Sequence, residues 1–85
     1  MEYLVVAFRS RSDTVRFFNF LSANGLHAEI VNTPKQAGVG CGLSVKVSKN
    51  ALSFTKRALS VFGESSFIGV FLVSEVSGKK IIRTI

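Results

Sequence analysis

The order of strand-like and helix-like segments predicts an α+β fold. It matches the ferredoxin-like split βαβ arrangement, βαββαβ, with two helices on one face of an antiparallel sheet and a C-terminal β-hairpin extension. Three observations carry this. Residues 43–48, Leu-Ser-Val-Lys-Val-Ser, alternate apolar and polar without a break, which is the period of a strand with one buried face. Two segments, opening near Ser12-Asp13 and near Ser48 or Asn50, repeat their apolar residues at helical spacing and stop at glycine. Two short runs, residues 3–8 and 67–73, are apolar at nearly every step, as in strands covered on both sides.

In chain order, residues 3–8 are too short for a helix and rich in Val and aromatics, so they form the first strand. Ser12 is the expected N-cap of a helix over residues 13–23, with Asp13 in its first turn and Asn24-Gly25 as its stop. Thr14, Phe17, Phe18 and Leu21 recur at i, i+3, i+4, i+7 and make its inner face, with Phe20 beside them and Arg16 and Asn19 outward. Residues 26–31 alternate loosely, an expected half-exposed strand with His27 on the solvent side. After the alternating strand comes a second helix with Leu52, Thr55, Leu59 and Phe62 inward, ended by Gly63. Ser77-Gly78-Lys79 then turns a terminal hairpin between residues 73–76 and 80–84. In this topology the first and third strands are central, the second is at one edge, and the fourth lies beside the first. The hairpin extends the sheet beyond the fourth.

Eighty-five residues make a single domain, 1–85, near the size at which one core is marginal, so the eight phenylalanines should carry much of its stability. The chain opens without a basic leader pattern and has no apolar run long enough to cross a bilayer, which points to a cytoplasmic protein with no membrane partner. One cysteine excludes an internal disulfide, and with one histidine no metal-ligand spacing exists; no cofactor motif is present. The net charge of +6 raises the question of nucleic acid. Against it, the basic residues are scattered, and the alternating strand has no aromatic residue and no RNP1 pattern.

The chemistry-bearing stretch is residues 33–42, Thr-Pro-Lys-Gln-Ala-Gly-Val-Gly-Cys-Gly, which holds the only proline, the only cysteine and three of the seven glycines. Pro34 stiffens the entry, and glycines such as Gly38, Gly40 and Gly42 admit left-handed backbone and close approach by another molecule. Cys41 is then either a seat for thiol chemistry or a small buried apolar residue at a strand start. No second cysteine is present to resolve an adduct and no base is fixed in the motif, so catalytic residues are not assigned and a self-sufficient enzyme is not expected.

Val31-Asn32-Thr33-Pro34-Lys35, followed after small residues by Cys41-Gly42-Leu43, resembles the selenium/sulfur (Se/S) carrier protein-like family. Thr33, Pro34, Cys41 and Gly42 match its pattern and Lys35 stands where a basic residue is usual, whereas Gly38, Val39 and Gly40 replace frequent serines. The resemblance implies a sulfur or selenium carrier that holds the atom on Cys41 and exchanges it with donor and acceptor proteins. Thr33, Pro34, Lys35, Gly40 and Gly42 are the supporting loop, with its backbone N–H groups and Lys35 favouring the anion. The competing reading is a small regulatory or assembly module with a structural cysteine. Because two helices cover only one face, Tyr3, Val5, Phe67, Phe71 and Val73 should form an apolar patch, and a homodimer through the sheet is expected.

Overall fold

The computed structural model describes residues 1–35, 40–63 and 66–85, so the middle of the glycine loop, with Gly38 and Val39, lies outside the described residues. Five antiparallel strands, β1 (Glu2–Phe8), β2 (Glu29–Asn32), β3 (Leu43–Ser48), β4 (Phe67–Val76) and β5 (Lys79–Thr84), lie in the order β2-β3-β1-β4-β5. Helices α1 (Arg11–Ala23) and α2 (Leu52–Phe62) complete the ferredoxin-like α+β fold with its C-terminal hairpin. No helix among the described residues is long and apolar enough to cross a membrane.

The strand pleat divides β1 between two environments. Leu4, Val6 and Phe8 join Val45, Val47 and Val70 under the helices, packed against Phe17 and Leu21 of α1. Phe62 of α2 bridges to Phe17 edge-on at 5.3 Å between ring centroids and to Phe20 at a tilt at 5.8 Å, so the helices meet through aromatic contacts. Ala58 and Thr55 are the buried positions of α2, while Leu52, Leu59 and Phe62 are half-buried at the margin of the row.

The helix boundaries follow local hydrogen bonding. α1 begins earlier than Ser12: Ser10 is the N-cap, its Oγ accepting from the Asp13 N–H at 3.2 Å, and Asp13 becomes the third helical residue. At the other end the N–H of Leu26 donates to Leu21 O and that of Gly25, at φ +83°, to Ser22 O. This paired stop takes Leu26 into the helix terminus, which is why β2 starts at Glu29. Ser48 caps a single 3-10 turn, Lys49–Ala51, that leads into α2. The β4–β5 turn is two residues, Ser77 and Gly78, both at positive φ as tight hairpins of this twist require, and Lys79 already pairs with Val76.

On the face away from the helices the expected apolar patch is absent. Tyr3 (8% exposed), Val5 (0%), Phe71 (8%) and Val73 (0%) are buried within the single chain, and Phe67 (37%) turns instead toward Phe8. Ile82 of β5 packs on Tyr3, Val5 and Val73, and Lys46, opposite Val5 in the ladder, lays its ammonium 4.4 Å from the Tyr3 ring centroid. Pro34 and Lys80 line the same depression. Long lysine stems can cover apolar surface while their charges stay wet, so this face is closed without a second copy.

Candidate functional site

Cys41 lies where β1 ends, α1 begins and β3 is about to start. Its N–H donates to the carbonyl of Phe8, the last residue of β1, at 3.2 Å. The flanking glycines both have positive φ, +86° at Gly40 and +94° at Gly42, a region that L side chains rarely enter. Gly40 is also pressed against β1: a Cβ there would sit 2.8 Å from Phe8 O and 3.4 Å from Ile68 Cδ1. Gly42 is free on that side, with nothing within 4 Å of such an atom. The cysteine is therefore held by backbone on one side and flanked on the other by a residue with no side chain to block approach.

The sulfur is half-buried and weakly held. Sγ lies 3.6 Å from Leu43 O, to which it can donate, and 3.7 Å from Thr14 Oγ1. Thr14 is fully buried in the first turn of α1, and its hydroxyl donates to Ser10 O at 3.0 Å. Cys41 thus faces the amino end of α1, where backbone N–H groups and the helix dipole favour negative charge. Beside it, Asp13 Oδ2 accepts from Ser66 Oγ at 2.6 Å and Oδ1 pairs with Arg16 Nη1 at 3.3 Å, tying the start of β4 to the helix.

The supporting residues expected from the sequence divide between two faces. Gly40 and Gly42 stay with Cys41. Thr33 donates its N–H to Gly42 O at 2.9 Å, but its Oγ1 meets Ser44 Oγ at 2.7 Å on the face away from the helices, where Pro34 also lies. Lys35 is exposed, and no hydrogen bond or ion pair joins it to Cys41 among the described residues. Thr14, Ser10 and the Phe8 carbonyl are the neighbours that motif reading missed. Of these only Thr14 left a sign, as a polar residue in an otherwise apolar inward row.

Among the described residues no three His, Cys, Asp or Glu side chains come together in a way that could hold a metal ion. Among the described residues no hydrogen bond or ion pair joins Cys41 to a histidine or carboxylate that could act as its base.

Residues 3–63 match a family described as Putative Se/S carrier protein-like. No curated protein and no solved structure matches the chain.

Proposed function

The chain belongs to the Se/S carrier protein-like family, and from the geometry around its one cysteine we propose that it carries a sulfur or selenium atom on Cys41 between a donor and an acceptor protein. The observation that carries this reading is the placement of Sγ: half-buried, loosely held at 3.6 and 3.7 Å, between two glycines at the amino end of α1. In the loading step the Cys41 thiolate attacks the terminal sulfur of a persulfide on the donor. The Sγ–S bond forms and the donor's S–S bond breaks, its electron pair leaving on the donor cysteine, which takes up the proton released from Cys41. Nothing is oxidised or reduced overall. Unloading is the same exchange with an acceptor nucleophile, Cys41 now being the leaving group. The transferred atom carries negative charge in the persulfide anion, and the amino end of α1 favours charge of that sign.

The site works without an intramolecular resolving thiol, so both exchanges are intermolecular and the natural setting is a reducing cytoplasm. Homodimerisation is not needed to cover the sheet. The strands left with an unpaired backbone edge, where a second copy could add to the sheet, are β2 and β5.

The test incubates wild type and Cys41→Ser with a cysteine desulfurase and labelled cysteine, and separately with a selenium source, and follows the label by intact mass. Label on wild type alone is the expected result. No label on wild type, together with a thiol that resists alkylation until the protein unfolds, would make Cys41 structural and the protein a regulatory or assembly module.

A further inference from the structure

Three exposed cations are carried by the segments that adjoin Cys41 at one end of the sheet. Arg9 directly follows Phe8, whose carbonyl binds the Cys41 N–H at 3.2 Å. Arg11 opens α1, one turn before Thr14, whose hydroxyl lies 3.7 Å from Sγ. Lys35 comes two residues after Thr33, whose N–H is bonded to Gly42 O at 2.9 Å. Arg9 and Arg11 enter from the junction of β1 and α1 and Lys35 from the segment after β2, and all three share one end of the sheet.

None of them is neutralised among the described residues. The ion pairs there are Arg16–Asp13, His27–Glu29 and Lys49–Glu2, all made by other side chains. Asp13, the acid at this end of α1, is held by Ser66 and Arg16. Among the described residues, the unpaired charge at this end of the sheet is therefore positive.

We propose that this rim of Arg9, Arg11 and Lys35 is the docking surface through which the carrier receives and delivers its atom, and that its partners present their reactive sulfur from an acidic protein surface. The inference rests on the carrier reading of Cys41. Sulfur exchange requires two sulfurs within bonding distance, and because Sγ is half-buried the partner must lie against the surrounding surface to reach it. Surface that a partner covers loses its water, and unpaired guanidinium and ammonium groups there are satisfied by carboxylates. Opposite charge on the partner also raises the encounter rate, an effect that salt screens over about 8 Å at physiological ionic strength.

The test uses cysteine peptides of equal length, one glutamate-rich, one lysine-rich and one uncharged, each activated as a pyridyl disulfide. Attack by the Cys41 thiolate on the peptide sulfur forms a mixed disulfide and expels pyridine thione, whose absorbance gives the rate. Each charged-peptide rate is divided by the uncharged-peptide rate of the same variant. Wild type should react with the glutamate-rich peptide on the order of tenfold faster than with the lysine-rich one at low salt, the ratio falling toward unity at high salt. Arg9→Glu combined with Arg11→Glu should invert the preference, and the milder pair Arg9→Gln and Arg11→Gln should reduce it toward unity. Equal rates in wild type, a preference that survives charge reversal, or a thiol inert to all three peptides would overturn the docking surface. Label transfer to Cys41 without any peptide preference sinks the docking surface and spares the carrier. Peptide preference without label sinks the carrier reading and, with it, the docking surface as a site of atom transfer.

Discussion

Replacing Gly40 and Gly42 separately by alanine separates two constraints that the Cys41 turn imposes. Both residues have positive φ, +86° and +94°, so each substitution places an L side chain in unfavourable backbone, at a cost of about 1–2 kcal/mol. Both also remove glycine's extra freedom in the unfolded chain, which offsets about 0.4–1 kcal/mol and cancels when the two are compared. The difference is steric. At position 42 the new methyl meets nothing within 4 Å, whereas at position 40 it would stand 2.8 Å from Phe8 O, closer than real Cβ atoms come. The turn must retreat, and the bond it makes to β1 there is the Cys41 N–H to Phe8 carbonyl at 3.2 Å. Phe8 is fully buried, so a carbonyl left without its donor costs about 1–3 kcal/mol. Gly40→Ala should therefore be less stable than Gly42→Ala by about 1–3 kcal/mol, read from urea midpoints at unchanged slope. It should also change the alkylation rate of Cys41 in the folded protein, because the retreat moves the sulfur away from Thr14. Equal stabilities for the two variants would refute the claim that Gly40 packs against β1.

Two further outcomes follow from the core and the termini. Phe17→Ala should cost about 3–5 kcal/mol because the ring is fully buried between Phe8 and Phe62, and Phe62→Ala should cost less because Phe62 is only half-buried. Denaturant unfolding that ranks Phe62 above Phe17 would show that α2 sits deeper than described. Glu2 has its carboxyl held below the usual glutamate value, first by the hydrogen bond from Lys49 Nζ at 2.6 Å, then by Ser74 Oγ at 2.9 Å and the Lys49 charge. A lowered folded value means that this contact helps above the ordinary glutamate pKa and is lost as pH falls through the lowered one. The NMR titration of Glu2 should have its midpoint below the ordinary range, and Lys49→Met should move it back up. A midpoint at or above that range in wild type would contradict the ion pair.

Much of the fold was legible because alternation and capping are local. β3 has the bounds its alternation gave, and the Asn24-Gly25 stop is real, its hydrogen bonds explaining why Leu26 closes the helix. The start of α1 was misplaced because Ser10 and Ser12 are both plausible caps, and only the reach of Ser10 Oγ to the Asp13 N–H decides between them. Ala58 was missed on α2 because alanine gives a weak apolar signal, although at that crossing it is a buried residue where the flanking Leu52 and Leu59 are only half-buried. The runs at residues 3–8 and 67–73 correctly announced strands covered on both sides. What covers the second side was not legible, since Lys46 is read as polar surface until the ladder sets it opposite Val5 with its ammonium over the Tyr3 ring, and Ile82 as part of a terminal hairpin until it packs on Tyr3, Val5 and Val73.

The site was harder to read because residues adjacent in the motif are parted by the pleat, while residues distant from it are gathered by topology. Thr33 continues the alternation of β2 onto the face away from the helices, and Pro34, past the end of the strand, lines a depression on that same face. Cys41 is drawn the other way by a backbone carbonyl, that of Phe8, which has no sequence signature. Arg9 and Arg11, read along the chain, are two members of a scattered set. Yet β1 and β3 are antiparallel neighbours, so whatever follows β1 must lie beside whatever precedes β3. Once the βαββαβ order is inferred, that rule alone brings Arg9 and Arg11 to the end of the sheet where Cys41 stands, and the charge around the thiol becomes a property of the topology more than of the motif.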